Sequence, residues 1–173
     1  MKLSRRASAQ LRRNLLALAV ASCFGGDLHA NPTGANVVSG AATMSQQGSQ
    51  LTITNTPGAI INWKSFSIGV NETTRFVQQS AASSVLNRVT GADPSQILGA
   101  LQSNGRDLLI NPNGILFGGG AQVNVSGLVA STLPLSDSDF LAGRYRFGEQ
   151  AGAGKLVNNG TISTGAEIGR AHV

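Results

Sequence analysis

Few side chains in this sequence could do bond-making chemistry, and they do not assemble. The chain of 173 residues holds two histidines, His29 and His172, and one cysteine, Cys23. A serine or cysteine nucleophile needs a base beside it. A zinc site needs a cluster of His and Cys ligands. Cys23 and His29 lie in an amino-terminal stretch that reads as a removable leader and His172 in an out-of-character tail, so neither is expected. Asp137 and Asp139 could contact calcium, but two carboxylates on one loop fall short of the oxygen set that ion takes. Gly118-Gly119-Gly120 does not sit in a phosphate-loop context. What remains is amide chemistry at Asn111-Pro112-Asn113-Gly114. Pro112 sets φ for the second position of a type I turn, Asn111 can bond its own backbone from the first, and Gly114 suits the fourth. Such a turn redirects the chain between Leu109-Ile110 and Ile115-Leu116-Phe117.

The elements that must position this turn read as strands. From Asn31 onward the sequence is rich in Gly, Ser, Thr, Asn, Ala and Val, and no long stretch has helical periodicity. Short period-two runs recur instead. They include Leu51 to Thr54, Ala59/Ile61/Trp63, Phe66/Ile68, Thr74 to Gln78, Val85 to Val89, Leu108 to Ile110, Ile115 to Phe117, Gln122 to Val125 and Leu156-Val157. Turn residues separate them, as at Thr56-Pro57-Gly58, Gly91 to Pro94 and Ser103-Asn104-Gly105. Many short strands with Gly and Asn turns mean an all-β fold, with sandwich, barrel and solenoid open. A recurring Asn/Gly-then-aliphatic unit at Asn113-Gly114-Ile115, Ser126-Gly127-Leu128 and Asn159-Gly160-Thr161-Ile162 favours a parallel β-helix. Its first rung needs a cap, for which Asn31 to Gly48 is the candidate. Asp137 to Arg146 is the most charged stretch beyond the leader, and reads as an excursion from the helix, either a hairpin or a loop with a short helix.

The first 30 residues read as a leader. Lys2, Arg5, Arg6, Arg12 and Arg13 precede an apolar run from Leu15 to Phe24, and Leu28-His29-Ala30 offers a small residue for cleavage. These are the parts of a cleavable signal peptide, here of the Sec type. Val20-Ala21-Ser22-Cys23 also resembles a lipoprotein box, and Arg12-Arg13 resembles a twin-arginine signal without the usual preceding Ser or Thr. The leader carries most of the +5 net charge, so the remainder is near neutral and has no nucleic-acid footprint. Removal of Cys23 would leave no cysteine, which suits a chain that crosses membranes extended and also fits a Cys-poor composition. The last seven residues, 167–173, are out of character and are expected to be a non-native tail, which would make the sequence a fragment.

Three pieces stand in order: Ile61-Asn62-Trp63-Lys64-Ser65-Phe66-Ser67-Ile68-Gly69, Ser84-Val85-Leu86-Asn87-Arg88-Val89-Thr90-Gly91, and Leu109-Ile110-Asn111-Pro112-Asn113-Gly114-Ile115-Leu116-Phe117-Gly118. Val129-Ala130-Ser131-Thr132-Leu133 follows. From about Val37 to Leu133 the series resembles the filamentous haemagglutinin amino-terminal domain, also called the two-partner secretion domain, in the branch typified by high-molecular-weight adhesins. The resemblance implies a right-handed parallel β-helix with an amino-terminal cap and extra-helical strands over residues 31–166. It implies a secretion motif at Asn111, Pro112, Asn113, Gly114 and Ile115, acting by shaping the domain or by touching the transporter. Asn62, Trp63, Asn87 and Arg88 form a supporting motif. The family's earlier Asn-Pro-Asn-Leu motif is missing here, and Ser84 to Asn87 stands near its place. From the residues themselves, Asn87 reads equally as a rung in a buried amide ladder and as a turn or capping residue. Trp63 reads as core or cap, and Arg88 as a solvated or locally paired charge.

The implied function is that of a non-enzymatic export module without cofactor or metal. Sec would carry it into the periplasm, an outer-membrane β-barrel transporter would recognise it, and it would fold at the cell surface or in the medium. The alternatives are an adhesin module that binds host cells or glycans, and a β-helical carbohydrate-active enzyme. The latter needs a groove of convergent charges that a 12% charged chain hardly provides.

Overall fold

The computed structural model describes residues 30–165 and the backbone of 168–170. The leader through His29, Cys23 and His172 lie outside the described residues. The described chain forms β1 (Asn36–Ser39), β2 (Ala42–Gln47), β3 (Gln50–Asn55), β4 (Ala59–Trp63), β5 (Thr73–Val77), β6 (Ser84–Val89), β7 (Ser95–Ile97) and β8 (Ala100–Ser103). It continues with β9 (Arg106–Ile110), β10 (Ile115–Phe117), β11 (Gln122–Val125), β12 (Gly127–Ser131), a short helix α1 (Asp137–Leu141), β13 (Leu156–Asn158), β14 (Thr161–Thr164) and β15 (Ile168–Arg170).

These strands coil into a parallel β-helix of about four turns. One six-stranded face has the order β1-β4-β6-β9-β12-β15, the second is β2-β3-β5-β8-β11-β14, and a three-stranded face is β7-β10-β13. Pairing between rungs is parallel throughout, and inward side chains stack in register. Leu51, Thr74, Leu101, Val123 and Ile162 form one such column. Only the cap strands run the other way: β1 is antiparallel to β4 and β2 to β3. They occupy the backbone donors and acceptors of the first rung, which is how an open sheet edge is closed. The expected cap over Asn31 to Gly48 is therefore present.

The Asn/Gly-then-aliphatic units open β10, β12 and β14, which lie on three different faces. They mark strand starts at different corners, which explains their irregular spacing.

The two large faces differ in sequence for a physical reason. Strands β5, β8 and β11 alternate, because their outer side faces water. Strands β4, β6 and β9 carry apolar side chains on both sides, with Ile60, Leu86, Leu108 and Ile110 facing outward yet buried. Sheets covered on both sides read this way. The cover is the excursion between β12 and β13. Its Leu135 and Phe140 pack onto that outer layer, with Phe147 and Val129 against it. Ser136 caps α1 by accepting from the Asp139 amide. Arg144 donates to the Asp139 carboxylate at 2.8 Å, and this bond, with the Ser136 hydroxyl, holds that carboxyl below its ordinary value.

Arg88 fastens the excursion. Its guanidinium donates to the Leu135 carbonyl at 2.8 Å and to Asp137 at 2.7 Å, and more loosely to Asn62. Asp137 is half exposed, so the ion pair contributes no more than about 1 kcal/mol. Arg88→Ala should therefore change global stability little while exposing residues 133–155 to protease. Limited proteolysis showing unchanged cleavage there would remove this role.

Candidate functional site

The Asn111–Ile115 segment forms the corner between β9 and β10. Gly114 N–H donates to the Asn111 carbonyl at 3.1 Å, closing the four-residue turn. Asn111 Oδ1 accepts from the Asn113 amide at 3.0 Å, the self-bonding expected of an Asn at the first position. Among the described residues no non-glycine residue has positive φ, so the turn's conformational demand falls on Gly114, at φ 123°.

The side chains stitch this corner to its neighbours on both sides. Toward the preceding rung, Asn111 Nδ2 donates to the Asp93 carbonyl and the Ser95 hydroxyl, each at 3.0 Å. Asn113 Nδ2 donates to the Gly91 carbonyl at 2.8 Å. Toward the following rung, Asn111 N–H donates to Ser131 O, Ile115 N–H to Lys155 O, and Gly154 N–H to Pro112 O. Gly154 is pressed against Asn113 so closely that a side chain there would collide with its carbonyl. Asn111 and Ser95 are wholly buried, Gly114 and Ile115 are buried, Pro112 is half-buried and Asn113 exposed. The motif is a brace across three rungs. Asp93 and Ser95, its lower partners, carried no distinguishing signal in sequence, since a Ser in a turn-rich segment does not declare that it is buried.

The supporting residues split between the two sides of one sheet. Trp63 and Asn87 point inward, where the indole N–H donates to Asn87 Oδ1 at 3.0 Å in a fully buried contact. Asn62 and Arg88 point outward beneath the excursion. The ladder and turn readings of Asn87 are both corrected. It lies mid-strand, and its stacked neighbours are Ile61 and Leu109, which have no amides to continue a ladder. Trp63 is a core residue, packed edge-on against Phe66 at 5.7 Å, and Phe66 stacks on Phe76 at 6.5 Å. The Asn111 corner lies beyond the ends of these strands, where Thr90 N–H also donates to Trp63 O.

Among the described residues no group of three or more His, Cys, Asp and Glu could hold a metal ion. Asp137 and Asp139 face Arg88 and Arg144. A groove of about 400 Å³ on the outer side of β5, β8 and β11 is lined by Arg75, Phe76, Val77, Gln102, Ser103, Asn104 and Asn124, none of them an acid.

Capped, braced at a corner and covered on one face, the structure is that of a β-solenoid module. The chain belongs to the TPS secretion domain family, whose model matches residues 28–173. It is 42% identical over 127 residues to a heme/hemopexin-binding protein of Haemophilus influenzae strain Rd, a match covering 70% of this chain and 14% of that protein. A second Haemophilus influenzae heme/hemopexin-binding protein is 42% identical over 89 residues, 51% of this chain and 10% of that one. The crystal structure of the HMW1 secretion domain from Haemophilus influenzae superimposes with a TM-score of 0.78 at 40% identity, covering 81% of this chain and 39% of that chain. This chain is a secretion-targeting domain, and it spans about a seventh of the first of these relatives. Neither the relatives nor the solved neighbour is described as an enzyme.

Proposed function

We propose that this chain is the address of a larger exoprotein, read in the periplasm by an outer-membrane β-barrel transporter and folding only after it emerges. Met1 to Ala30 is the leader that delivers it through Sec, and the module begins at residue 31. Recognition falls on extended segments of the unfolded chain. β3 is the natural choice, because an amphipathic strand can add to a sheet edge through its backbone. The Asn111–Ile115 motif then serves secretion by folding. The observation that supports this is that Asn111 and Asn113 both direct their amides into neighbouring rungs. Each new rung buries its inward residues on the one before, at about 1.5–3 kcal/mol per fully buried Val or Ile, and this biases the chain outward.

Asn113→Ala tests the division of labour. The side chain is exposed and its loss should cost about 1 kcal/mol, leaving secretion of the whole chain by its cognate transporter near the wild-type level. A folded Asn113→Ala chain that is no longer secreted would assign the motif to recognition instead.

A second reading, an adhesin module for host cells or glycans, draws on the polar groove around Arg75, Gln102 and Asn124. Saturable binding of the purified chain to cells, lost in Arg75→Ala, would support it. Binding of heme or hemopexin, named for the relatives, belongs on our reading to the much longer remainder of such proteins.

A further inference from the structure

One inward column of the solenoid contains an acid. Asp107 on β9 stacks between Val85 of β6 and Leu128 of β12, in the line that begins with Ala59. It is 2% exposed. Its Oδ1 accepts from Gln78 Nε2 at 3.1 Å, while Oδ2 has no hydrogen-bond partner, and neither does the buried Oε1 of Gln78. The Gln78 amide is held in place from several sides. It also donates to Ser103 Oγ and the Arg106 carbonyl, its backbone is clasped by the Asn104 side chain, and it fills the space that a side chain at Gly105 would take.

Among the described residues no charge compensates the carboxyl. Of the cations on the elements packed around it, Arg88 of β6 turns outward to Asp137. Arg75 of β5 lines the outer groove, and Arg106, next in sequence, is exposed with its stem against Gly127. The remaining groups facing Asp107 are Val85, Leu128, Gln78 and Ser103. Burying an unpaired carboxylate costs far more than burying the neutral acid. Burial raises the Asp107 carboxyl well above its ordinary value of 3.8, and the Ser103 hydroxyl beside it opposes that only in part.

We propose that the Asp107–Gln78 pair is a proton-dependent brake on folding, which at neutral pH lowers the tendency of the exported chain to fold before the transporter has taken it. The link to export rests on the transporter reading above; the brake itself does not. Below pH 3.8 the carboxyl is neutral in the folded and unfolded chain alike and folding carries no ionisation cost. Above it the unfolded chain ionises while the folded one takes up a proton, so folding weakens by up to about tenfold in its equilibrium constant per pH unit, until the folded value is passed. Asp139, held below its ordinary value, acts with the opposite sign and at lower pH, so comparison of variants isolates Asp107.

The experiment uses the whole chain, secreted with its transporter and purified from the medium. Denaturant unfolding is followed from pH 4 to pH 8 for wild type and Asp107→Asn, whose amide supplies a donor in place of the orphan oxygen. Wild type is expected to lose folding strength across this range, and Asp107→Asn to show a flatter profile and a higher midpoint at neutral pH. In cells, Asp107→Asn is expected to accumulate in the periplasm and to be secreted several-fold less. Parallel profiles, or undiminished secretion of a stabilised Asp107→Asn, would overturn the brake. If Asp107→Asn fails to fold, the carboxyl carbon resonance of Asp107 in labelled wild type decides: a neutral-acid shift at pH 7 supports the proposal and a carboxylate shift overturns it. Wild type reaching the medium without any transporter would sink the transporter reading while leaving the pH profiles intact.

Discussion

Trp63→Ala is expected to remove most of the stability of this domain. The side chain is 1% exposed in the core and touches the aromatic cluster of Phe66 and Phe76 beside the cap. Truncating a buried Trp costs about 3–5 kcal/mol. The loss here is compounded, because Asn87 Oδ1 accepts from the indole in the interior and would be left unpaired at about 1–3 kcal/mol more. Against the roughly 5–15 kcal/mol of a typical domain, the sum leaves little. Circular dichroism during thermal unfolding is the check. Trp63→Phe, which keeps a ring but loses the donor, should fall between the two. If Trp63→Ala melted within a few degrees of wild type, the core assignment would be wrong. Trp63 is also the one tryptophan of the chain, so its emission reports this site alone and should be that of a buried indole.

Asn111→Ala is expected to destabilise by about 3 kcal/mol. It removes two donations to the preceding rung and the acceptor that organises the turn, and it leaves the fully buried Ser95 hydroxyl without its amide partner. For a domain of this size that corresponds to a melting shift of about 6–12 °C. Secretion should fall with it, whereas Asn113→Ala should cost only about 1 kcal/mol and leave secretion near the wild-type level. Equal effects of the two substitutions would contradict the burial difference from which the argument starts.

How much of this was legible in sequence depended on the range of the interaction. The Asn111 turn could be read because its closing bond and its Asx bond lie within four residues. Most strands could be read from period two, and the cap from the need to close an edge. Asn87 could not be read, because its partner lies 24 residues away, one rung below. Asp107 could not, because a charged residue at a strand start looks like a solvent-facing one until the register places it between Val85 and Leu128. β4, β6 and β9 were read as period-two runs, and the apolar outer layer of Ile60, Leu86, Leu108 and Ile110 and its cover were not read. The cover is a charged segment whose apolar anchors, Leu135, Phe140 and Phe147, are spaced without period. Arg88 was read as a solvated or locally paired charge and not as a fastener, since Asp137 stands 49 residues away.

The central claim is that this solenoid is an address for an outer-membrane transporter and folds after passage. The direct measurement is the amount of the chain in the medium of cells that express it with and without the cognate β-barrel transporter, with the periplasmic pool assayed for protease resistance. The account predicts folded chain outside only when the transporter is present, and a protease-sensitive pool inside when it is absent. Equal amounts outside in both strains, or a fully protease-resistant periplasmic pool that is still secreted, would contradict it.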